Sequence, residues 1–404
     1  MRSSAVSRSS SLPAPVSMTA TPAVAWGTHT CSRPSPFSSW RNRSHSRVRS
    51  CTTSSAPVRI WISSLRMTAD LTNDPRGAAC RGTAKFAAMR LLFASMSTVG
   101  HTYPLLPLAI AARDAGHEVH FAVGTEMHEV LATLGLRPFR PGQVFGEIYA
   151  EDIAPELERL LPDLVISGWA VPEVAAEARR RGFPVLWHGF GRMFADGIGL
   201  VKPNGGRHLD ICPPSLQDRE FLPADRIPVR PVPFSPPGPV PRRDRETLIY
   251  LTLGTVFGRQ EVLAAAVEGL GRLDAQVVVA APHVRLDGLP DNVSLHPWLS
   301  QAEVIRQADV VVHHGGSGTM LGALVAGVPQ VVLPQGADQF GNAQALVEAG
   351  LAARPEALCA DAIAEGARLV LRDRAYREAA AQVAEEIRHM PSPEEVADSL
   401  ADVV

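Results

Sequence analysis

The stretch Ala308–Gly350, ADVVVHHGGSGTMLGALVAGVPQVVLPQGADQFGNAQALVEAG, decides how the rest of the chain is read. Val310, Val311 and Val312 form a β-branched run between Asp309 and His313, the length of a buried strand. The turn His314-Gly315-Gly316-Ser317-Gly318-Thr319 follows. The apolar stretch Met320–Ala326 then predicts a helix, ended by Gly327 and Pro329. Val331–Leu333 is a second buried strand, and its loop carries Asp338 and Gln339 ahead of another helix. This order is one βαβ unit, so the chain is α/β.

A glycine turn that feeds a helix N-terminus offers free backbone N–H groups and the positive end of the helix dipole, which suits an anion. Thr319 adds a hydroxyl and His314 an imidazole N–H, and both suit a diphosphate. Asp338 and Gln339 leave the next strand at its carboxyl end, beside the same crevice. A carboxylate beside an amide suits sugar hydroxyls. Neither a P-loop Gly-Lys-Ser/Thr nor a GxGxxG fingerprint is present. Taken alone, the glycines are equally a tight turn.

Six segments together resemble one family. They are HHGGSGT (313–319), GVPQ (327–330), ADQF (337–340), MRLLFASMSTVGHTYPLLPLA (89–109), IYLTLGT (249–255) and HPWLSQAEVI (296–305). Most of the chain from 89 to 404 resembles the inverting, nucleotide-sugar-dependent glycosyltransferases of GT-B architecture, which have two facing Rossmann-like domains with a cleft between them. The likeness is closest to actinomycete enzymes that attach deoxysugars to antibiotics, calicheamicin-type enzymes among them. It implies a hexosyltransferase of secondary metabolism with no metal and no cofactor beyond its nucleotide-sugar co-substrate, and a hydrophobic aglycone as acceptor.

The resemblance also implies roles for particular residues. His101 follows the strand Arg90–Ser95, in a loop at its carboxyl end; by position alone it caps a helix, and by resemblance it is the general base. The family holds that base with an acid at the end of a later strand. Here Asp163–Ser167 runs into Gly168 and Trp169 instead, which leaves Glu173 as a substitute. The donor-binding residues are Thr255, Trp298, Gln301, His314, Gly316, Ser317, Gly318, Thr319, Asp338 and Gln339, with Trp298 stacking on the nucleobase. Eight residues after His314 stands Gly322, where relatives that use UDP-sugars carry a ribose-binding glutamate, so the expected donor is a TDP-sugar. Between Pro141 and Phe145, and between Arg192 and Asp210, the chain is shorter than those relatives. Trp187, Phe190 and Arg192 remain as acceptor-binding candidates, with Trp187 and Phe190 equally readable as core.

The expected organisation has five parts. Residues 1–88 are a Ser/Arg-rich leader that reads as disordered and as an over-extended start, with translation beginning at Met89 or Met67. Residues 89–227 form a shortened acceptor-binding Rossmann-like domain, and 228–245 a proline-dense linker. The donor-binding domain covers 246–389, and a last helix in 390–404 crosses back to the first domain. The leader holds 12 Arg and Lys against two acids, Asp70 and Asp74, while the remainder is acidic. That balance argues against nucleic-acid binding by the folded part. The chain of 404 residues, 46% hydrophobic, is long enough for two cores. Five scattered cysteines fit a reducing cytoplasm, and no apolar run reaches the ~18 residues of a membrane helix. The oligomeric state stays open. Two other readings compete: a catalytically impaired nucleotide-sugar binder, either a remnant or an auxiliary partner of another transferase, and an epimerase of the same architecture.

Overall fold

The structure, a computed structural model, describes residues 88–142, 148–193, 207–219, 222, 225–254, 258–282 and 284–403. The leader of residues 1–87, the candidate Thr255, and most of the two shortened segments lie outside the described residues.

Two parallel sheets carry the fold. The first holds β1 (Arg90–Ala94), β2 (Glu118–Ala122), β3 (Arg137–Phe139), β4 (Leu164–Gly168), β5 (Val185–His188), β6 (His208–Asp210) and β7 (Arg226–Pro228). Its order is β3-β2-β1-β4-β5-β6-β7. The second holds β8 (Leu248–Thr252), β9 (Gln276–Ala280), β10 (Val293–His296), β11 (Val310–His313), β12 (Gln330–Val332) and β13 (Ala352–Ala353), in the order β10-β9-β8-β11-β12-β13. Every pairing is parallel.

Parallel strands are covered on both faces, so they read as continuous apolar runs. The period of two still sorts their side chains. Leu91 and Phe93 of β1 join one core cluster and Leu92 and Ala94 another. Likewise Ile249 and Leu251 of β8 face one way, and Leu248 and Tyr250 the other. Helices lie against each face, as in any doubly wound sheet.

Strand order reverses between β1 and β4 and again between β8 and β11. At such switch points the loops leave in opposite directions and open a crevice beyond the carboxyl ends. His101 follows β1, Gly168 ends β4, Gly254 follows β8 and His314 follows β11. The site is set by these four exits.

One local expectation is corrected. His101 is not in an open loop but in a helical turn, Val99–Thr102, which runs through a 3-10 turn at Tyr103–Leu105 into helix Leu106–Asp114. Pro104 and Pro107 each stand in the first turn of their segment, where a missing N–H costs nothing. At the other end of the chain, helix Pro393–Asp398 packs on helix Leu106–Asp114. A capping box sets its start: Ser392 N–H donates to Glu395 Oε2 at 2.7 Å, and Glu395 N–H donates to Ser392 Oγ at 3.2 Å. Val396, Ala397 and Leu400 thereby enter the core that also contains Leu105 and Leu108. Among the described residues, no helix is long and apolar enough to cross a membrane.

Candidate active site

A cleft of about 500 Å³ opens where the two switch points face each other. His101, Tyr103 and Phe190 line it from the first sheet's side, and Trp298, His314 and Asp338 from the second.

On the second side the helix Ser317–Ala326 begins at Gly316, and no side chain caps it. Its first turn, Ser317, Gly318 and Thr319, lines the cleft and holds no acid. Orphan N–H groups and the dipole's positive end therefore face open space suited to an anion. The turn before it is held from beneath. Gly315 N–H donates to His313 Nδ1 at 3.1 Å, so the His313 proton is on Nε2, which donates to Gln330 Oε1 at 2.7 Å. Gly315 itself has φ +92°, and a Cβ there would stand 2.9 Å from the Gln339 carbonyl oxygen. Only glycine fits.

His314 lies across that turn. Its imidazole is so close to Gly316 and Gly254 that a Cβ on either would stand 2.3 Å and 2.8 Å from Nε2. Burial pushes its pKa down to about 4, partly offset by a hydrogen bond to the Thr252 backbone, so the empty site holds a neutral ring.

Asn342 ties the glycine turn to the polar loop. Its amide N–H groups reach the Gly315 carbonyl at 2.9 Å and Asp338 Oδ2 at 2.9 Å. Ser317 Oγ–H donates to the same Oδ2 at 3.0 Å. Burial raises the Asp338 pKa against these bonds. Gln339 Oε1 accepts from the Gln335 and Gly336 N–H groups, at 2.8 and 3.1 Å, which leaves its amide NH2 to donate into the cleft. At the base end, Trp298 is 38% exposed, enough open face for stacking. Gln301 is oriented by the buried Tyr250, whose hydroxyl donates to its Oε1 at 3.2 Å, and its Nε2 reaches Thr319 Oγ1 at 3.5 Å.

On the first side, the His101 ring packs on Phe190 with centroids 4.6 Å apart. Burial lowers its pKa to about 4, so the ring is neutral at ordinary pH, the form in which a general base must start. Gly168 stands where an acid was expected, and a Cβ there would be 3.1 Å from the Ala94 carbonyl oxygen. A side chain at this position would need the β1 backbone to give by a few tenths of an ångström.

Three candidates do not reach the cleft, Trp187 among them taking its core alternative. Glu173 is exposed, and its carboxylate accepts from Ala150 N–H at 3.0 Å, at the start of helix Ala150–Leu160, so it does not support His101. Trp187 is 2% exposed and stacks on His208 at 4.5 Å, beneath the cleft wall, where a large indole buries most area. Arg192 turns away: its guanidinium donates to the Leu216 carbonyl at 3.0 Å and pairs with Asp218 at 3.4 Å. Phe190 alone of the acceptor candidates lines the cleft.

Sequence reasoning also missed residues. Asn342 and His313 carried a signal, since a buried amide and imidazole beside a glycine turn need partners. The linker gave none. Pro231, Pro233 and Phe234 line the cleft, and Phe234 meets Tyr103 edge-on at 4.9 Å, although proline density marked this stretch only as a spacer.

Comparison with known proteins shows the family. Residues 264–403 match the family described as erythromycin biosynthesis protein CIII-like, C-terminal domain. The elloramycin glycosyltransferase ElmGT of Streptomyces olivaceus is 30% identical over 379 residues, covering 77% of this chain and 97% of that protein. The solved glycosyltransferase SnogD from Streptomyces nogalater superposes with a TM-score of 0.67 at 28% identity, covering 78% of this chain and 99% of that one. The spinosyn rhamnosyltransferase SpnG, solved with thymidine diphosphate, gives 0.66 at 25% identity, covering 78% and 100%. The likeness to ElmGT runs over nearly all of that enzyme, and the chain accordingly belongs to the GT-B glycosyltransferases of actinomycete antibiotic biosynthesis.

Proposed function

We propose that this glycosyltransferase moves a deoxysugar from a TDP-sugar to a hydroxyl of a hydrophobic natural-product aglycone, with inversion at the anomeric carbon. The observation that carries the reading is that His101 and the uncapped turn Gly316–Thr319 line one cleft from opposite sides. His101 takes the proton of the acceptor hydroxyl as its oxygen attacks the anomeric carbon. The bond from that carbon to the diphosphate breaks on the opposite face, and the electron pair leaves with the phosphate. The helix N-terminus and His314 stabilise the departing charge. Asp338 and the Gln339 amide hold sugar hydroxyls, while Trp298 and Gln301 hold the base. The TDP preference is supported at Gly322, where a Cβ would meet Ile305 Cδ1 at 3.3 Å and Pro233 at 3.9 Å. A ribose-gripping carboxylate is absent there and a larger residue would be crowded.

The test titrates the full chain with TDP and UDP by calorimetry and incubates it with TDP-sugars and aglycone alcohols, reading the product's anomeric configuration by proton NMR. Tighter TDP binding and an inverted product support the reading. Equal binding of TDP and UDP removes the argument from Gly322, and retention of configuration removes the single-displacement step. Tight TDP binding without transfer to any acceptor returns the auxiliary-partner reading.

A further inference from the structure

The first sheet holds a second histidine that the mechanism above does not use. His188 ends β5, is 1% exposed, and lines both the cleft and a small recess behind His101. Its Nδ1 stands 2.6 Å from the Gly189 carbonyl oxygen, which can only accept, so Nδ1 carries the proton. Nε2 is then a bare acceptor, and it is buried with no hydrogen-bond partner. Such an atom is rare in a folded protein and calls for a donor.

The recess narrows the choice of donor. It has no room for a water molecule. Of the polar side chains on its wall, Ser95 has no proton to give: Thr102 Oγ1–H donates to the Met96 carbonyl, so Ser95 Oγ–H donates to Thr102 Oγ1 at 3.0 Å. Two side-chain N–H groups remain on that wall, the Trp169 indole and the His101 imidazole. Trp169 is 1% exposed and locked against Phe190 and Trp187. His101 is half-buried and lines both spaces.

We propose that His188 is the positioning residue for His101, its bare Nε2 accepting the imidazole N–H that His101 turns away from the acceptor hydroxyl. The proposal rests on His101 as the base and explains how it works without an acid at Gly168 or Glu173. When His101 takes the hydroxyl proton on its cleft-facing nitrogen, it becomes an imidazolium. Its second N–H stays on His101, shared in a hydrogen bond with neutral His188. No proton passes to His188. A neutral acceptor orients the ring and fixes its tautomer, the part of a triad carboxylate's work that needs only a lone pair.

The experiment labels the full chain with 15N-histidine and reads the ring nitrogens by NMR, with signals assigned by their loss in H101F and H188F. The same variants are assayed for turnover of TDP-glucose, with water or an added alcohol as acceptor. The expected spectrum shows His188 as the Nδ1–H tautomer with its Nε2 resonance displaced by an accepted hydrogen bond, and that displacement disappears in H101F. H188F lowers kcat by about 10- to 100-fold, within the range of the whole general-base effect, and leaves the melting temperature and TDP affinity near wild type. H188Q, whose amide oxygen can accept, restores kcat to within about three-fold. If the His188 resonance is unchanged in H101F, or responds to W169F instead, the proposal is overturned. It is equally overturned if H188F and H188Q behave alike. Retained turnover in H101A would sink the base assignment instead, with the His101–His188 bond still visible in the spectrum.

Discussion

His314 makes a sharp pH prediction. Its ring is neutral in the empty site because burial holds the pKa at about 4. A diphosphate oxygen about 4 Å away, at an effective dielectric constant of about 20, favours the imidazolium by about 4 kcal/mol. At about 1.4 kcal/mol per unit, that raises the pKa in the complex by about 3, to about 7. The pKa in the complex lies above that of the free protein. The added affinity is therefore growing as pH falls through about 7 and is lost as pH rises through it. By linkage, binding takes up about 0.9 proton at pH 6, about half at pH 7 and about 0.1 at pH 8, and TDP binds about 10-fold tighter at pH 6 than at pH 8. The assay is calorimetry in pairs of buffers with different ionisation heats, for wild type and H314Q. TDP's own phosphate titration is common to both, so their difference isolates His314. If wild type and H314Q take up the same number of protons, the reasoning is wrong, and His314 faces the phosphate as a neutral donor.

Three further outcomes are expected. H101A should lower kcat by about 10² to 10⁴ while leaving the TDP dissociation constant within about two-fold, measured by transfer assay and calorimetry on the same preparation. In G191A the new methyl would stand 2.4 Å from Ser317 Oγ and 2.5 Å from its Cβ, so the loop after β5 must leave the donor turn. TDP affinity should fall by an overpacking cost of about 1–3 kcal/mol. S317G should recover most of it, and additivity within about 0.5 kcal/mol in the double-mutant cycle would refute the contact. N342A removes the amide bridging Gly315 and Asp338; Asp338 keeps its bond from Ser317, but the Gly315 carbonyl loses its amide partner, at about 1–3 kcal/mol. Its effect should appear in thermal unfolding and in TDP affinity together; a loss confined to one of them would separate the two roles.

Much of this molecule was legible in its order of residues, for a physical reason. Strands buried on both faces must be apolar throughout, so VVVH, LIYLT and QVVVA announce themselves without any partner in view. The glycine turn was equally local: a backbone that must approach a helix start closely, at φ +92°, has few residue choices, and Gly315 with its neighbours spells that out. The phosphate and sugar part of the donor side lies within one βαβ unit, and its chemistry could be read along the chain.

The base and acceptor side could not. It is assembled from the exits of β1, β4 and β5 together with a linker, and whether two such loops meet is a matter of strand order rather than of either loop. Glu173 was near His101 in the reading because only a few residues separate it from Gly168, yet its helix takes the carboxylate to Ala150 N–H. Trp187 and Arg192 looked like an aromatic and a cation for a ligand, and the fold spent one on burial and the other on a carbonyl and a carboxylate. His188 was passed over beside them. Only packing reveals that its Nε2 is dry, unpaired and behind the base, because an unsatisfied atom is a property of its surroundings and leaves no mark on the sequence.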